Sequence, residues 1–335
     1  VTITALDVHD AVLLDLDGTV YRGGDVIPRA QESIRAIRER GRAVRYVTNN
    51  ASKPAREVAE RLTGLGLPAR ADEVATSAEA AAALLAQKLP AGAKVLVVGS
   101  AALAAELEGA GLEPVRTVGD EPVAVVQGHS PETAWPQLAE ACLALRAGAV
   151  WVACNEDLTL PTERGELPGN GSMVAALRAA TGRRPEVAGK PERPLLDRAA
   201  DSAAASAPLM VGDRMDTDIA GAVNAGMPSL LVLTGVDRPA NLLAAPPEQR
   251  PTHVGSDLGA LSQAWADVEI REQAGWKVVD RGSSWELAAT SEESADPLAA
   301  LRALCAARWQ RGSGAVEVRA ADPRAEAALV ELDLG

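Results

Sequence analysis

Cysteine is scarce: the chain holds three, Cys142, Cys154 and Cys305, and no CxxC pair. That excludes a disulfide framework and a cysteine-based zinc site, and it predicts a reducing compartment, most simply the cytoplasm. Long apolar runs are missing too. Stretches such as "KVLVVGSAALAAEL" (Lys94 to Leu107) are flanked by charge and fall short of the roughly 18 to 20 uncharged residues that a membrane span needs. The first residues lack a basic-then-apolar leader pattern, so none is expected. Basic clusters are absent as well, and the formal net charge is −13. An acidic field of this size repels nucleic acid and anionic membrane surfaces, which leaves a small molecule as the expected partner. If that partner is itself an anion, local cations or a metal have to overcome the global field.

What is present is an alternation. "AVLLDLD" (Ala11 to Asp17), "AVRYVTNN", "KVLVVGS", "PVAVVQGHS", "VWVACNED", "PLMVGDR" and "SLLVLTG" barely alternate in polarity, the pattern of strands buried on both faces. Between them lie segments with helical spacing. "PRAQESIRAIRERG" opens on Pro28, carries Ala30, Ile34 and Ile37, and stops at Gly41; "PAREVAERLTGLG" repeats the plan. Strand, helix and strand joined this tightly predict an α/β fold with a doubly wound parallel sheet. At 335 residues the chain has room for two or three domains. The texture changes near residue 262, where two strands around an Arg-Gly-Ser-Ser turn, a helix and a further strand predict a small C-terminal α/β extension.

In an open parallel sheet, ligands bind beyond the carboxyl ends of the strands. Four apolar runs end in reactive residues: Asp15 and Asp17; Thr48, Asn49 and Asn50; Lys190; and Asp213 followed by Asp218. Carboxylates gathered at one sheet edge repel by about 4 kcal/mol per pair at 4 Å and an effective dielectric near 20. A hard cation relieves this, and magnesium suits carboxylate and phosphate oxygens.

"DLDGT", "VTNN", "GKP" and "VGDRMDTDI", in that order over residues 10 to about 260, resemble the signature motifs of the haloacid dehalogenase superfamily of phosphatases. The resemblance implies a Rossmann-like core in which Asp15 is the nucleophile and forms an aspartyl-phosphate, while Asp17 shuttles the proton. It implies magnesium held by Asp15, the Asp17 carbonyl and Asp213, with Asp218 acting through water. Thr48, Asn49, Asn50 and Lys190 would bind phosphate. Relatives whose leaving groups need no proton lack the second acid, so Asp17 argues for phosphate esters.

The long passage from Asn50 to Lys190 reads as an insertion. Residues 1–78 and 182–261 are the expected core, 79–181 an inserted α/β cap, and 262–335 the extension. Capped members act mostly on small soluble phosphates, and cap-mediated homodimers are common among them. The stretch from Cys154 to Leu177 is dense in polar and turn residues, so substrate contacts are sought at Asn155, Asp157, Glu163, Arg164, Gly169, Asn170 and Gly171. A glycine hinge at "PGNGS" is the plainer reading of the last three. The likeness is greatest to members that act on glycerol 3-phosphate and carry a short acetyltransferase-like extension. That makes glycerol 3-phosphate the expected substrate, with 2-phosphoglycolate, pyridoxal phosphate, p-nitrophenyl phosphate or a phosphomutase reaction as alternatives. The extension itself offers no Gly-rich turn into a helix for a coenzyme pyrophosphate, because "WQRGSGAVEVRA" enters a strand, and it is read as a non-catalytic interaction module. His129 is read as structural, and Asn50 could equally just shape its turn.

Overall fold

The computed structural model describes residues 2–162, 164–282, 284–290 and 296–335. The chain divides into two compact units, Val1–Arg45 with Ser202–Gly335, and Tyr46–Asp201. The elements that matter, in chain order, are β1 (Ala11–Leu14), α1 (Ala30–Glu39), β2 (Ala43–Thr48), α2 (Ala55–Gly64), β3 (Val74–Thr76), α3 (Ser77–Lys88), β4 (Lys94–Val98), α4 (Ala101–Gly109), β5 (Glu113–Val115), β6 (Ala124–Gln127), α5 (Trp135–Arg146) and β7 (Val150–Ala153). They continue as β8 (Thr159–Thr162), β9 (Gly165–Pro168), α6 (Asn170–Thr181), β10 (Glu186–Val187), α7 (Arg193–Ser202), β11 (Pro208–Gly212), α8 (Ala220–Ala225), β12 (Ser229–Val232), α9 (Pro239–Ala244), β13 (His253–Gly255) and α10 (Trp265–Val268). The last are β14 (Trp276–Asp280), β15 (Ser284–Ala289), α11 (Pro297–Trp309), β16 (Glu317–Ala320) and α12 (Pro323–Glu331).

In the first unit a parallel sheet runs in the order β13-β12-β11-β1, with the opening residues of β2 next. Every residue of β1 and β12 is buried, which explains their unbroken apolar runs. The register pairs Ala11 with Pro208 and Leu14 with Val211. The residues just after Leu14 and Val211 therefore emerge at the same sheet edge.

The extension belongs to this unit. β14 and β15 pair antiparallel, and β16 joins β15 in parallel; Ser283 of the expected turn lies outside the described residues. Leu231, Leu242 and Val254 share one hydrophobic core with Trp276, Trp285, Leu301, Leu304 and Leu329. Arg302 of α11, 2% exposed, donates from Nε and Nη2 to the Val254 carbonyl of β13 at 3.2 and 3.0 Å.

In the second unit, Tyr46 to Thr48 of β2 pair in parallel with Val74 to Thr76 of β3. A separate parallel sheet runs β10-β7-β6-β4-β5, with α5 and α6 covering a core that includes Leu96, Val125, Trp151, Leu145 and Leu177. An exposed antiparallel hairpin, β8 and β9, leaves this domain just before α6. Among the described residues no helix is long and apolar enough to cross a membrane.

Candidate active site

The register of β1 and β11 brings the acidic candidates together. Asp15 comes directly after Leu14, and its N–H donates to Val211 O at 2.9 Å. Asp213 comes directly after Gly212 at the end of the neighbouring strand. The chain then makes a tight π-turn over Met215–Ile219, which returns Asp218 to the same edge. Carboxylate oxygens of Asp15, Asp213 and Asp218 all lie within 4.8 Å of one another. Asp213 and Asp218 are 0% and 1% exposed, whereas Asp17 is exposed to solvent. The Asp17 carboxylate is not in the acidic cluster; its expected metal contact is its carbonyl.

Close main-chain approach builds the pocket around Asp213. A Cβ at Gly18 would lie 2.4 Å from Asp213 Oδ2, one at Gly235 would lie 1.7 Å from it, and one at Gly212 would meet Asp218 Oδ2 at 2.2 Å. Gly18 also has φ +91°, a conformation that side chains disfavour. Asp213 accepts from Thr19 Oγ1 at 3.3 Å and from the Val236 N–H at 2.8 Å, and Asp218 accepts from the Arg214 N–H at 3.1 Å. These donors orient the carboxylates without neutralising them. An all-oxygen set of this kind, with Asp15 half-buried, Asp213 and Asp218 buried, and no room for a side chain at three glycines, fits a small hard cation.

Sequence reasoning missed Thr19, Gly235 and Asp237. Asp237 caps the π-turn by accepting the Met215 N–H at 2.6 Å. Burial, with Asp216 and Asp218 nearby, holds its carboxyl above the usual range. Its signal was position alone, just beyond the glycine that ends "SLLVLTG".

The second unit holds the other candidates. Thr48 ends β2, and its Oγ1 accepts the Asn50 N–H at 3.1 Å. Asn50 is exposed and accepts from Ser52 N and Oγ at 2.8 Å, so its side chain shapes the turn. Lys190 is 2% exposed. Asn49 Oδ1 accepts from Lys190 N at 2.8 Å, and Asn49 Nδ2 donates to Lys190 O at 2.9 Å and to the Asp157 carboxylate at 3.3 Å.

Several of the residues expected to contact substrate bond to main chain. Asn155 and Asn170 are 4% and 2% exposed. Asn155 Nδ2 donates to Asn49 O at 2.7 Å, and Asn170 Nδ2 donates to Asn155 O at 2.7 Å. A Cβ at Gly169 would lie 2.3 Å from Asp157 O, and one at Gly171 would lie 2.1 Å from Glu156 O. Asn155, Gly169, Asn170 and Gly171 thus form a buried frame that carries Asp157, because their polar groups are spent on main chain and their glycines admit only main chain. Arg164 is exposed at the tip of the β8–β9 hairpin, its N–H donating to Thr162 Oγ1 at 3.2 Å. Glu163 lies outside the described residues. His129 is half-buried, and burial lowers its pKa.

Known proteins share this arrangement of segments. Models of haloacid dehalogenase-like hydrolases match residues 12–113 and 187–261. A D-glycerol 3-phosphate phosphatase of Mycobacterium tuberculosis is 48% identical over 331 residues, covering 96% of this chain and 93% of the relative. The chain belongs to the haloacid dehalogenase-like hydrolase family. The 5′-nucleotidase YutF of Bacillus subtilis, another relative, is 38% identical over 75% of this chain and 96% of its own length. The crystal structure of a glycerol phosphate phosphatase from M. tuberculosis in complex with magnesium matches with a TM-score of 0.95 at 47% identity, covering 100% of both chains. Residues 273–334 match a model of GCN5-related N-acetyltransferase-like domains. The expected family, fold class and acetyltransferase-like likeness of the extension are all borne out.

Proposed function

We propose that this haloacid dehalogenase-like hydrolase is a magnesium-dependent phosphatase that converts glycerol 3-phosphate to glycerol and phosphate through an aspartyl-phosphate on Asp15. The observation that carries the reading is the Asp15, Asp213 and Asp218 cluster, set at adjacent strand ends in a chain so similar to a D-glycerol 3-phosphate phosphatase.

Asp15 attacks phosphorus and displaces the substrate alkoxide, which takes a proton from the exposed Asp17. Asp17 then accepts a proton from the water that attacks the acyl phosphate, so phosphate leaves and both carboxyl groups return to their starting states. Thr48, the main-chain N–H groups after it, and Lys190 bind the phosphoryl oxygens, and the Lys190 ammonium offsets their charge. Asp15, the Asp17 carbonyl and Asp213 would hold magnesium, with Asp218 reaching it through water. When bound, the ion draws electron density from the phosphoryl group and lowers its repulsion with Asp15. In this reading residues 1–78 and 182–261 are the phosphatase core, 79–181 is a cap, and Asp157 and Arg164 supply substrate contacts from it.

Phosphate release is the test, measured with and without magnesium on glycerol 3-phosphate, 2-phosphoglycolate, pyridoxal phosphate and p-nitrophenyl phosphate. Metal-dependent turnover with the highest kcat/KM on glycerol 3-phosphate, reduced at least about 1000-fold in Asp15→Asn, is expected. A higher value on another ester would replace the substrate and keep the mechanism. Release unaffected by Asp15→Asn would end the mechanism.

A further inference from the structure

Asn49 sits in the phosphate-binding motif, yet its side chain is fully spent elsewhere. Its carboxamide pairs with the Lys190 peptide as a neighbouring strand would: Oδ1 takes the Lys190 N–H at 2.8 Å while Nδ2 gives to the Lys190 carbonyl at 2.9 Å. The remaining Nδ2 hydrogen faces both oxygens of Asp157 at 3.3 Å. The main chain of Asn49 is fixed in turn, since its carbonyl accepts Ser77 Oγ at 2.5 Å and Asn155 Nδ2 at 2.7 Å. Residue 189 has to be glycine for this pairing to form, because a Cβ there would lie 2.6 Å from Asn49 Oδ1 and 2.5 Å from Cys154 O.

A carboxamide with both atoms engaged cannot hold a phosphate oxygen without letting Lys190 go. We propose that Asn49 is a positioning residue: its side chain fixes the main chain that carries Lys190 and ties that lysine to Asp157, and it does not itself bind phosphate. The inference rests on the phosphatase reading, in which Lys190 offsets phosphoryl charge. It also explains the Asn155 and Asn170 frame, which holds both ends of the tie: the Asn49 carbonyl and the Asp157 N–H, the latter on Asn155 Oδ1 at 3.2 Å. An error of about 1 Å in a charged group beside a reacting centre costs on the order of 100-fold in rate.

The test is a double-mutant cycle in the full chain, with magnesium and glycerol 3-phosphate: wild type, Asn49→Ala, Lys190→Ala and the double variant. Asn49→Ala is expected to lower kcat about 10- to 100-fold with KM within about threefold, and to add less than about twofold in the Lys190→Ala background. Asn49→Asp has the same shape but turns an oxygen toward the Lys190 carbonyl and Asp157, so its kcat should fall as much as that of Asn49→Ala. Amide hydrogen exchange at Lys190 should quicken in Asn49→Ala, which removes the acceptor of its N–H. Losses that multiply in the double variant, or a rise in KM alone, would make Asn49 a direct phosphate ligand and overturn the proposal. Unchanged exchange at Lys190 would overturn it too. A wild type that releases no phosphate would instead remove the phosphatase reading, and the inference with it.

Discussion

At the scale of single residues, Asp213 is held by what its neighbours lack. Gly18 and Gly235 present bare main chain to its carboxylate, and the Val236 N–H reaches Oδ2 at 2.8 Å only because residue 235 carries no side chain. Gly235→Ala places a methyl 1.7 Å from that oxygen, so either Asp213 or the turn has to move. The expected result is a folded protein whose magnesium affinity, read by calorimetric titration, and kcat/KM each fall about 10- to 100-fold. Wild-type affinity would show that the glycine is not needed for approach. Single residues also set a pH response. His253 stacks on Trp265 at 3.7 Å between ring centroids, with His9 edge-on to the same ring at 5.6 Å. Burial first, then the nearby His9 and Arg302 charges, push the His253 pKa down to about 4. Between pH 6.5 and 4 the unfolded chain therefore binds a proton that the folded chain refuses. Stability is kept above about pH 6.5 and lost as the pH falls toward 4, by about 3 kcal/mol from His253 alone. Urea unfolding at several pH values should show a shallower slope in His253→Gln than in wild type. The acids at strand ends were legible because each follows a long apolar run. Thr19, Gly235, Asp237 and the Asn49 pairing were not, since they matter through contacts between segments distant in sequence.

At the scale of elements, the same division holds. β1, β2, β4, β6, β7, β11 and β12 are the runs named from apolar character, and α1, α2 and α11 follow their helical spacing and stop signals. The missed strands are short or peripheral. β10 has two residues, β3 and β13 have three, and β13 opens on His253, the last residue of the proline-rich stretch from Ala244 that reads as a surface excursion. A three-residue strand has too little apolar length to show a period; it exists because a neighbouring strand or a side chain completes its hydrogen bonds. For β13 that completion is Arg302 on the Val254 carbonyl, and Arg302 depends on Asp296, the N-cap of α11. Asp296 accepts from Leu298 N at 2.9 Å and from Arg302 Nη1 at 3.2 Å. Asp296→Ala removes the cap and the carboxylate beside a buried guanidinium, for an expected loss of about 1 to 3 kcal/mol in urea unfolding. Asp296→Asn keeps the cap and should recover part of it. Equal losses in the two variants would mean that the charge, and not the cap, carries the effect.

At the scale of the first compact unit, the extension and the sheet that carries Asp15 and Asp213 share their interior. Met215 and Ile219, on the turn that bears Asp218, lie in the same hydrophobic cluster as Trp285, Leu301 and Leu304. Hydrogen bonds to main-chain carbonyls reinforce it: Trp309 Nε1 gives to Leu242 O at 3.3 Å, Gly314 N to Ala244 O at 2.9 Å, and the Arg250 guanidinium to Trp309 O at 3.2 Å and Gly312 O at 2.6 Å. An interaction module hung on a linker would melt separately from the catalytic sheet; a shared core cannot. Leu301→Ala, which empties a fully buried site in α11, should cost about 2 to 5 kcal/mol. The informative comparison is between two melting curves of that variant. If the core is common, the loss of magnesium-dependent phosphate release will follow the loss of the extension's tryptophan signal at one lowered temperature. Activity that survives after Trp276, Trp285 and Trp309 have become exposed would show instead that the extension unfolds alone and that the sheet edge at β13 stands without it.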